Sequence, residues 1–486
     1  MGRLIATVFC ALVIWKLFRL NREGEGEVRT SKALWLPTFW LFISSSRNFS
    51  EWLHLAPGGG SQRYLEGSPL DRAVLSAVLA FGVIVLLGRA RRTGMLLRSN
   101  LPILLFFLYC GTSAMWSDFP DVSFKRWFRA LGDVVMVLIV LTDPDWVTAL
   151  RRLFTRLGYV LIPVSILFDR YYPEYGRVFS HSGDPSWTGV ATEKNALGVL
   201  SLVFGLAFLF YFLQIYREDK SPHRRGRLIA YGTIVAMAFY LLTGSKSATA
   251  LASFFLAGVP MVLTFLFRWA RKPAFVHAMV FGVLGVSISA LFLNIGTGML
   301  EEMGRDATLT GRTAIWHAAL SLVQNPIVGM GFESFWVGPR YDEMATLTDM
   351  PLNQAHNGYI EVFLNLGWIG VALLALVLIA AYGRIVSALR RMTPVASLRL
   401  AYFMVAICQN FTEASFKMMH PAWIAFLIAA MAIPDAPRPD ELPPLGLGHA
   451  GELAHAKPGA TRIPVPAGRH NANPVSRKDL LRTRQS

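Results

Sequence analysis

The sequence predicts an all-α bundle of about 12–13 transmembrane helices, and its composition and the order of its apolar segments carry this prediction. Hydrophobic residues make up 53% of the 486 positions and charged residues 16%, against roughly 25% charged in an ordinary soluble domain. The mean hydropathy is +0.42. Apolar runs of roughly 15–22 residues recur along the chain, which suits a bilayer better than a soluble core.

The apolar runs place the expected spans one by one. The first, within Met1–Leu20, lacks a small-residue cleavage site and carries Lys16 and Arg19 at its end, so we expect an uncleaved span with its amino end outside. The candidate spans are 4–20, 33–45, 72–88, 100–115, 127–142, 156–169, 194–214, 229–243, 247–267, 275–293, 358–382, 398–411 and 421–434.

The loops between these spans alternate in charge. One set is rich in Lys and Arg and is therefore expected in the cytoplasm: 89–98, 151–156, 217–227, 268–272 and 384–391. The other set is poor in Lys and Arg and is expected outside: 46–71, 116–126, 170–193, 294–357 and 412–420. The alternation holds from the first loop to the last and supports the order of the spans.

Two regions are not short connectors. The external loop 294–357 is long enough to be functional, and Thr308 to Ser321 has helical periodicity. Gly329 to Trp336 is predicted to form a turn with an aromatic membrane anchor, and the alternative is an apolar rim for lipid or sugar stacking. The tail 435–486 is rich in Pro, Gly and basic residues, so we expect it to be disordered and cytoplasmic.

Several other classes of function are disfavoured. The net charge of +16 is spread over short topogenic clusters, so it does not indicate nucleic-acid binding. The three cysteines lie singly in apolar runs, without the spacing of a zinc site or a disulfide framework. Asp143 and Asp145 have a spacing that can share a metal ion, but they lie in a predicted cytoplasmic loop, and a helix-start role for Asp145 is preferred.

Basic residues near the outer boundaries are informative because the positive-inside bias works against them. Four occur there in polar contexts: Arg177, Lys194, Lys246 and Arg312. Converging cations suit an anionic lipid headgroup, such as a diphosphate leaving group that needs charge stabilisation. The alternative for each is an ordinary anchor whose side chain reaches lipid phosphates.

His356 and Asn357 stand where the long loop enters the next span. An imidazole can accept a proton from a sugar hydroxyl near neutral pH, and the adjacent carboxamide can orient a substrate, although a lone interfacial His is more often structural. Glu413 and Lys417, four residues apart in the last external loop, are expected to form a helical ion pair.

The pattern around His356 resembles a known family. His356-Asn357, nine residues and then Gly367-Trp368-Ile369-Gly370 is similar to the His-(Asn/Ser/Gln), nine residues, Gly-x-x-(Gly/Thr/Tyr) signature of O-antigen ligases. Further similar blocks are Gly311-Arg312-Thr313 with Trp316, Asn325 to Gly331 with Phe335, Gly189 with Lys194 to Gly198, and Thr243 to Ser247. The resemblance to the O-antigen ligase and polymerase family covers about residues 185–385.

The resemblance divides the chain into an amino-terminal membrane half (1–184), a ligase-like core (185–385), carboxy-terminal membrane helices (386–434) and the tail. It implies a GT-C-like glycosyltransferase of the bacterial inner membrane with its active site facing the periplasm. His356 would be the base and Arg312 would contact the donor diphosphate, with Lys194, Lys246, Arg177 and Asn357 as further substrate contacts.

The expected donor is an undecaprenyl-diphosphate-linked glycan, and the acceptor is a glycan or a lipid A core within a setting of membrane lipids. No nucleotide sugar, metal or other cofactor is implied. Ligation and polymerisation stay equally open. The alternative from another class is a transporter or flippase, but the few ionisable groups inside spans, Asp133 and Glu361 among them, lie towards the outer ends, which favours surface chemistry.

Overall fold

The computed structural model of the protein describes residues 1–22, 30–55, 68–179, 185–292, 309–348 and 352–433. The structure is 77% helical, which confirms the all-α polytopic bundle. The strands among the described residues form a two-stranded antiparallel hairpin that pairs Arg177–Phe179 with Pro185–Trp187. The first part of the long loop, up to residue 308, and the predicted disordered tail lie outside the described residues.

The helices follow the chain in two groups. Before the hairpin lie α1 (Gly2–Arg22), α2 (Trp35–Ser44), α3 (Phe49–Trp52), α4 (Pro69–Leu87), α5 (Ala90–Ser99), α6 (Leu101–Thr112), α7 (Pro120–Leu141), α8 (Trp146–Tyr171) and α9 (Pro173–Gly176). After it lie α10 (Lys194–Glu218), α11 (Arg224–Gly244), α12 (Ala248–Leu266), α13 (Pro273–Phe292), α14 (Leu309–Ser321), α15 (Pro339–Thr348), α16 (Gly358–Arg390), α17 (Ala396–Gln409) and α18 (Pro421–Ala430).

Every predicted span falls on one of these helices. Among the described residues six are long and apolar enough to cross a membrane, α1, α4, α10, α11, α12 and α16, and a seventh is counted if the pair α5 and α6, bent by 89°, is one span. Three more are apolar but shorter, α13, α17 and α18. The loop helix predicted from Thr308 to Ser321 is present as α14.

The short helices occupy the centre of the bundle. Every residue of α17 and of α18 is buried, and α10 is buried along most of its length. α17 packs against α12 and α18, while α10 packs against α11 and α12. Because protein surrounds these central helices, their backbone and side chains need no full bilayer-length apolar surface of their own.

Arginine side chains mark one end of the bundle. Arg217, near the carboxyl end of α10, donates to the carbonyl oxygen of Phe265 near the end of α12 at 2.9 Å. Arg384 in α16 donates to the carbonyl oxygen of Ala430 at the end of α18 at 3.0 Å. Arginines suit carboxyl-terminal helix ends, where carbonyl groups lack helical partners. The amino-terminal ends of α10, α12 and α16 therefore lie at the other end of these helices.

The Asp143 and Asp145 pair has local structural contacts. Asp145 accepts a hydrogen bond from the backbone N–H of Thr148 at 3.0 Å and caps α8, so its predicted helix-start role is confirmed. Asp143 accepts from the backbone N–H of Ser31 at 3.0 Å. Within the described ranges, no group of three or more His, Cys, Asp or Glu side chains is arranged to hold a metal ion.

Helix α16 is broken at Gly367, where φ is 63° and ψ is −165°. Backbone groups freed by the break bond to the Asn325–Gly331 segment, which runs alongside it, so few are left without a partner. The bonds run from Trp368 N to Pro326 O (2.9 Å), Ile369 N to Ile327 O (3.1 Å), Met330 N to Leu364 O (3.1 Å) and Gly331 N to Asn365 O (2.8 Å). The nine residues from Gly358 to Leu366 thus form a separate half-helix.

The glycine-rich stretch before α15 forms a turn, as its sequence predicts, with positive φ at Gly329 and Gly331. The predicted aromatic membrane anchor is wrong. Phe335 is fully buried and Trp336 is buried, and both pack in a small core with Met330 and Leu364. Because the turn is bonded to the broken α16, its aromatic rings face the protein interior.

Replacing Gly367 by Ala should destabilise the protein. A Cβ there would lie 2.3 Å from the carbonyl oxygen of Ile327, and left-handed backbone strain alone contributes about 1–3 kcal/mol. We expect a lower thermal midpoint in detergent and a lower folded yield. Gly383→Ala is the matched control, because Gly383 lies in the same helix with no atom within 4 Å of its added Cβ. An equal midpoint for the two variants would contradict the role of the break.

Candidate functional site

Arg312 and His356 meet at one carboxylate, that of Glu413. His356 Nδ1 lies 3.4 Å from Glu413 Oε2, and Arg312 Nη2 lies 3.9 Å from Glu413 Oε1. Asn195, at the start of α10, donates to Glu413 Oε1 at 3.0 Å. Arg312 also donates through Nη1 to the carbonyl oxygen of Thr412 at 2.9 Å. Three distant parts of the chain therefore converge on the Glu413 side chain.

The exposure of these groups fits a site that opens to a ligand. The Glu413 side chain is 11% exposed, whereas those of His356 and Arg312 are 28% and 29% exposed. A carboxylate at this depth is stabilised by the hydrogen bond and the basic side chains that surround it. The imidazole and the guanidinium keep part of their surface free beside it.

The segment that carries Glu413 is held against the start of α16. The backbone N–H of Gly358 donates to the carbonyl oxygens of Asn410 at 2.9 Å and of Glu413 at 3.1 Å. A Cβ at Gly358 would lie 1.8 Å from Asn410 Oδ1, so the close approach requires glycine. Since His356 lies two residues before Gly358, these bonds fix the position of Glu413 relative to His356.

Asn357 caps the half-helix. Its Oδ1 accepts from the backbone N–H groups of Tyr359 at 3.0 Å and Ile360 at 3.1 Å, satisfying helix donors that lack partners. Its Nδ2 donates to the carbonyl oxygen of Phe411 at 3.1 Å. The carboxamide is buried and engaged at both ends by protein, so it positions its neighbour His356.

The turn that presents His356 is held in a left-handed conformation, with φ at 50°. The residue before it, Ala355, is bonded on both sides: its N–H donates to Glu361 Oε1, and its carbonyl oxygen accepts from Trp316 Nε1 at 2.8 Å. Glu361 Oε2 also accepts from Trp336 Nε1 at 2.9 Å. Strained conformations of this kind persist when the surrounding structure determines them, and they cluster at functional sites.

Helix α14 links the two candidate groups directly. Arg312 and Trp316 are four residues apart, so they lie on one face of the helix. The first reaches Thr412 and Glu413, and the second reaches Ala355 beside His356. One helix face therefore sets the separation of the guanidinium from the imidazole.

Lys194 and Lys246 lie at the same end of the bundle and are exposed. Lys194 precedes Asn195, which bonds to Glu413. Lys246 lies three residues before Thr249, whose hydroxyl lies 2.9 Å from that of Thr412. The structure therefore brings both lysines to the region around Glu413, although neither ammonium contacts its carboxylate within the described residues.

Arg177 is held elsewhere. Its Nε donates to the carbonyl oxygen of Asp169 at 2.8 Å, and in the hairpin it pairs with Trp187. The Trp187 ring in turn lies against the Arg170 guanidinium, 4.9 Å from its centre. Within the described residues no contact joins Arg177 to Arg312, His356 or Glu413.

The ion pair expected between Glu413 and Lys417 is wrong. Residues 411–420 do not form a helix, so a spacing of four does not bring these side chains together. The Glu413 carboxylate is instead engaged by Asn195, Arg312 and His356. These three partners lie about 57, 100 and 220 residues from Glu413 in sequence, and the folded chain brings them to its carboxylate, whereas Lys417 is not brought there.

Another imidazole lies nearby, that of His420. Burial and the adjacent Lys417 ammonium lower the pKa of His420 to about 3. It is therefore neutral at physiological pH and a weak base. His356, which is partly exposed and faces a carboxylate, is the better candidate for proton transfer.

Sequence reasoning missed Glu413, Glu361 and Trp316 as parts of the site. Two of them carry a detectable signal. Glu361 is a carboxylate inside an apolar span, and Glu413 is a carboxylate in the short segment between two predicted spans; charged groups in such places are functional candidates by default. Nothing in the sequence around Trp316 predicts its hydrogen bond to a residue about 40 positions away.

Comparisons with known proteins agree with the motifs. Residues 231–375 match a family model described as O-antigen ligase, a range that includes Lys246, Arg312 and His356 but ends before Glu413. The exopolysaccharide production protein ExoQ of Rhizobium meliloti (strain 1021) is 29% identical over 294 residues. That alignment covers 58% of this chain and 65% of the relative, so it spans less than two thirds of the relative's length.

Replacing Glu361 by Ala should destabilise the protein and loosen the turn before His356. The change leaves Trp336 Nε1 and the Ala355 N–H without their acceptor, and each stranded buried donor costs about 1–3 kcal/mol. We expect a clearly lower thermal midpoint in detergent. The control is Glu343→Ala in α15, where the side chain is exposed. A Glu361→Ala thermal midpoint equal to that of the control would contradict the role of Glu361 in holding the turn before His356.

Proposed function

Since the chain belongs to the O-antigen ligase and polymerase family of membrane proteins, we propose that it transfers a glycan from an undecaprenyl diphosphate carrier to an acceptor hydroxyl. The observation that carries this proposal is the shared carboxylate of Glu413, which joins a candidate base, His356, to a candidate anion contact, Arg312. A transporter needs no such pairing of a base with a guanidinium.

His356 is proposed as the general base. Its Nδ1 faces Glu413 Oε2, and no partner for Nε2 lies among the described residues, so Nε2 is the nitrogen proposed to meet the substrate. A carboxylate on one imidazole nitrogen fixes the ring orientation and the tautomer, and it stabilises the imidazolium that forms on proton uptake. In the proposed step, the acceptor oxygen forms a bond to the anomeric carbon of the donor glycan while its proton moves to Nε2.

Arg312 is proposed to bind the diphosphate of the donor. The bond between the anomeric carbon and the diphosphate oxygen breaks, and its electron pair leaves with the carrier diphosphate. A planar guanidinium offers several N–H donors, and only part of them are used by Thr412 and Glu413. Charge stabilisation of the leaving group at this point lowers the barrier to transfer.

The other predicted residues take supporting roles in the proposal. Lys194 and Lys246 supply positive charge around the diphosphate, since both lie exposed at the same end of the bundle. Asn357 acts by holding His356 through the cap of the half-helix. Arg177, which bonds to the Asp169 carbonyl and has no described contact with Glu413, is proposed as a contact for another part of the substrate.

The proposed location is the bacterial inner membrane with the site in the periplasm. The Arg-rich ends of α10 and α16 lie opposite the ends that approach Glu413, and Lys and Arg are retained on the cytoplasmic side. By the same rule the tail 435–486 is proposed to be cytoplasmic. The ligase-like core is proposed to span 185–385, with 1–184 and 386–434 as the flanking membrane regions.

The substrate class follows from the family and from the relative. We propose surface polysaccharide as the product, and the similarity to an exopolysaccharide production protein favours polymerisation of an exopolysaccharide. Ligation to a lipid A core uses the same groups, because both reactions need a carrier diphosphate, a base and an acceptor hydroxyl. The proposed reaction needs neither a nucleotide sugar nor a metal ion.

The proposal is tested in a strain that lacks the gene. Wild-type protein should restore surface polysaccharide, whereas His356→Ala and Arg312→Ala should each reduce it by about a hundredfold or more, because a positioned base contributes roughly 10²–10⁴ in rate. The measurement is surface glycan per cell, normalised to the amount of protein in the membrane.

Two controls separate chemistry from folding. His317→Ala and Arg91→Ala change exposed residues of the same types outside the Glu413 contacts, and they should rescue fully. Normal rescue by both His356→Ala and Arg312→Ala would rule out chemistry at this site and would favour the alternative function, a transporter.

A further inference from the structure

Glu413 lies in the connection between α17 and α18, residues 411–420, which is not helical. The buried helix α18 has ten residues and is about 15 Å long, half the thickness of the hydrocarbon core of a bilayer. Its last residue, Ala430, meets Arg384 at the arginine-marked end, so its first residue lies well inside the bundle. The connection therefore runs from Glu413 into the protein interior, where its backbone groups need protein partners.

Asn410 holds the outer half of the connection. Its side chain is fully buried, and its Oδ1 accepts from the backbone N–H groups of Ser415 at 2.8 Å and Phe416 at 3.1 Å. Its Nδ2 donates to the carbonyl oxygen of Ala406 in α17 at 2.7 Å. These bonds close a turn around Glu413, but they end at Phe416. The inner half of the connection is held by other contacts.

Asp133 in α7 holds the inner half. Its Oδ2 accepts from the backbone N–H of Met419 at 2.8 Å, and its Oδ1 accepts from Trp40 Nε1 in α2 at 2.8 Å. The Asp133 side chain is fully buried. Met419 has a φ of 54°, a left-handed conformation that a residue with a side chain rarely adopts without support from its surroundings. The carboxylate therefore fixes a strained residue six positions from Glu413.

Tight packing places the Asp133 carboxylate. The Trp40 ring lies against Gly132, where an added Cβ would come within 2.2 Å of the ring. A carboxylate inside a predicted span can serve an ion or proton pathway, but both oxygens of Asp133 already accept hydrogen bonds from protein. Trp40 and Asp133 both precede residues 231–375, which match the family model. A part of the chain outside that match therefore contacts the connection that carries Glu413.

We propose that Asp133 is a positioning residue for the site. By holding Met419 it fixes the connection 411–420, which keeps the Glu413 carboxylate at His356 and Arg312. Within the described residues Asp133 makes no hydrogen bond or ion pair with His356 or Arg312, so its effect passes through Glu413. The inference rests on the proposed function, because the position of Glu413 matters only if the groups that it joins carry the reaction.

The test uses full-length protein in detergent, with carrier-linked glycan extracted from its host as the donor. Asp133→Asn replaces one of the two acceptor oxygens by an NH2 group, so Trp40 Nε1 and the Met419 N–H no longer each have an acceptor. The matched control is Asp71→Asn in α4. Asp71 is also buried, and its two oxygens also accept from one backbone N–H and one side chain, both of Ser50.

Hydrogen exchange of residues 411–420 is the first measurement. In wild-type protein the Met419 amide should exchange at least about a hundredfold more slowly than in an unstructured peptide, because its donor is buried and bonded. Asp133→Asn should speed exchange in the connection by about tenfold or more, whereas Asp71→Asn should leave it within about twofold. Rapid exchange at Met419 in wild type overturns the proposal without any variant, and unchanged exchange in Asp133→Asn also overturns it.

Single-turnover release of carrier diphosphate by folded protein is the second measurement. Asp133→Asn should slow it by about ten- to a hundredfold, because misplacing a group by about 1 Å can cost 10²-fold, while donor affinity stays within about twofold. In a Glu413→Gln background the same change should cost less than about twofold, since the carboxylate through which it acts is gone. Asp71→Asn should keep a rate within about twofold of wild type.

The contradicting results are distinct. A wild-type rate in Asp133→Asn, an equal loss in both backgrounds, or an equal loss in Asp71→Asn overturns the positioning role and leaves the proposed function standing. A wild-type rate in Glu413→Gln overturns both.

Discussion

A carboxylate that is almost withdrawn from water must be matched by donors and positive charge, and in this protein Glu413 is matched by groups that no local pattern connects. Asn195 comes from α10, Arg312 from α14 and His356 from the turn before α16. Satisfying one acidic side chain thereby brings together a candidate base and a candidate phosphate ligand. The same carboxylate engages Nδ1 of the imidazole, and no contact among the described residues involves Nε2, the nitrogen proposed to accept the proton.

The broken helix α16 explains the spacing of the sequence signature. Asn357 caps the half-helix at its start and Gly367 ends it, so the nine residues between them are its length. The break is stable because the Asn325–Gly331 segment accepts and donates the freed backbone hydrogen bonds. Two sequence blocks that look independent are therefore one structural unit, and this unit presents His356.

The sequence predicted the helices well and the contacts between them poorly. Each apolar run predicted as a span coincides with a helix, including the short α17 and α18, because burial in a bundle and burial in a bilayer select the same residues. Among the described helices only six, or seven with the bent pair, are long and apolar enough to cross a membrane. Arg312 and His356 were recognisable from their motifs. Glu413 was expected to pair with Lys417, and Trp336 was expected to anchor at the membrane surface. Both predictions were wrong because spacing along the chain identifies only neighbours four residues apart or residues on one face of a helix. Contacts over a hundred residues or more, such as Arg312 with Glu413, are set by the packing of α14 against the rest and leave no local trace.

The claim that Glu413 joins Arg312 and His356 into one working site is tested most directly by Glu413→Gln in purified protein. Single-turnover release of carrier diphosphate is followed together with donor affinity. Glutamine keeps an oxygen for Asn195 but removes the charge that faces the imidazole, so the rate should fall by roughly a hundredfold while the donor affinity changes little. A wild-type rate, or a loss confined to donor affinity, would contradict the account.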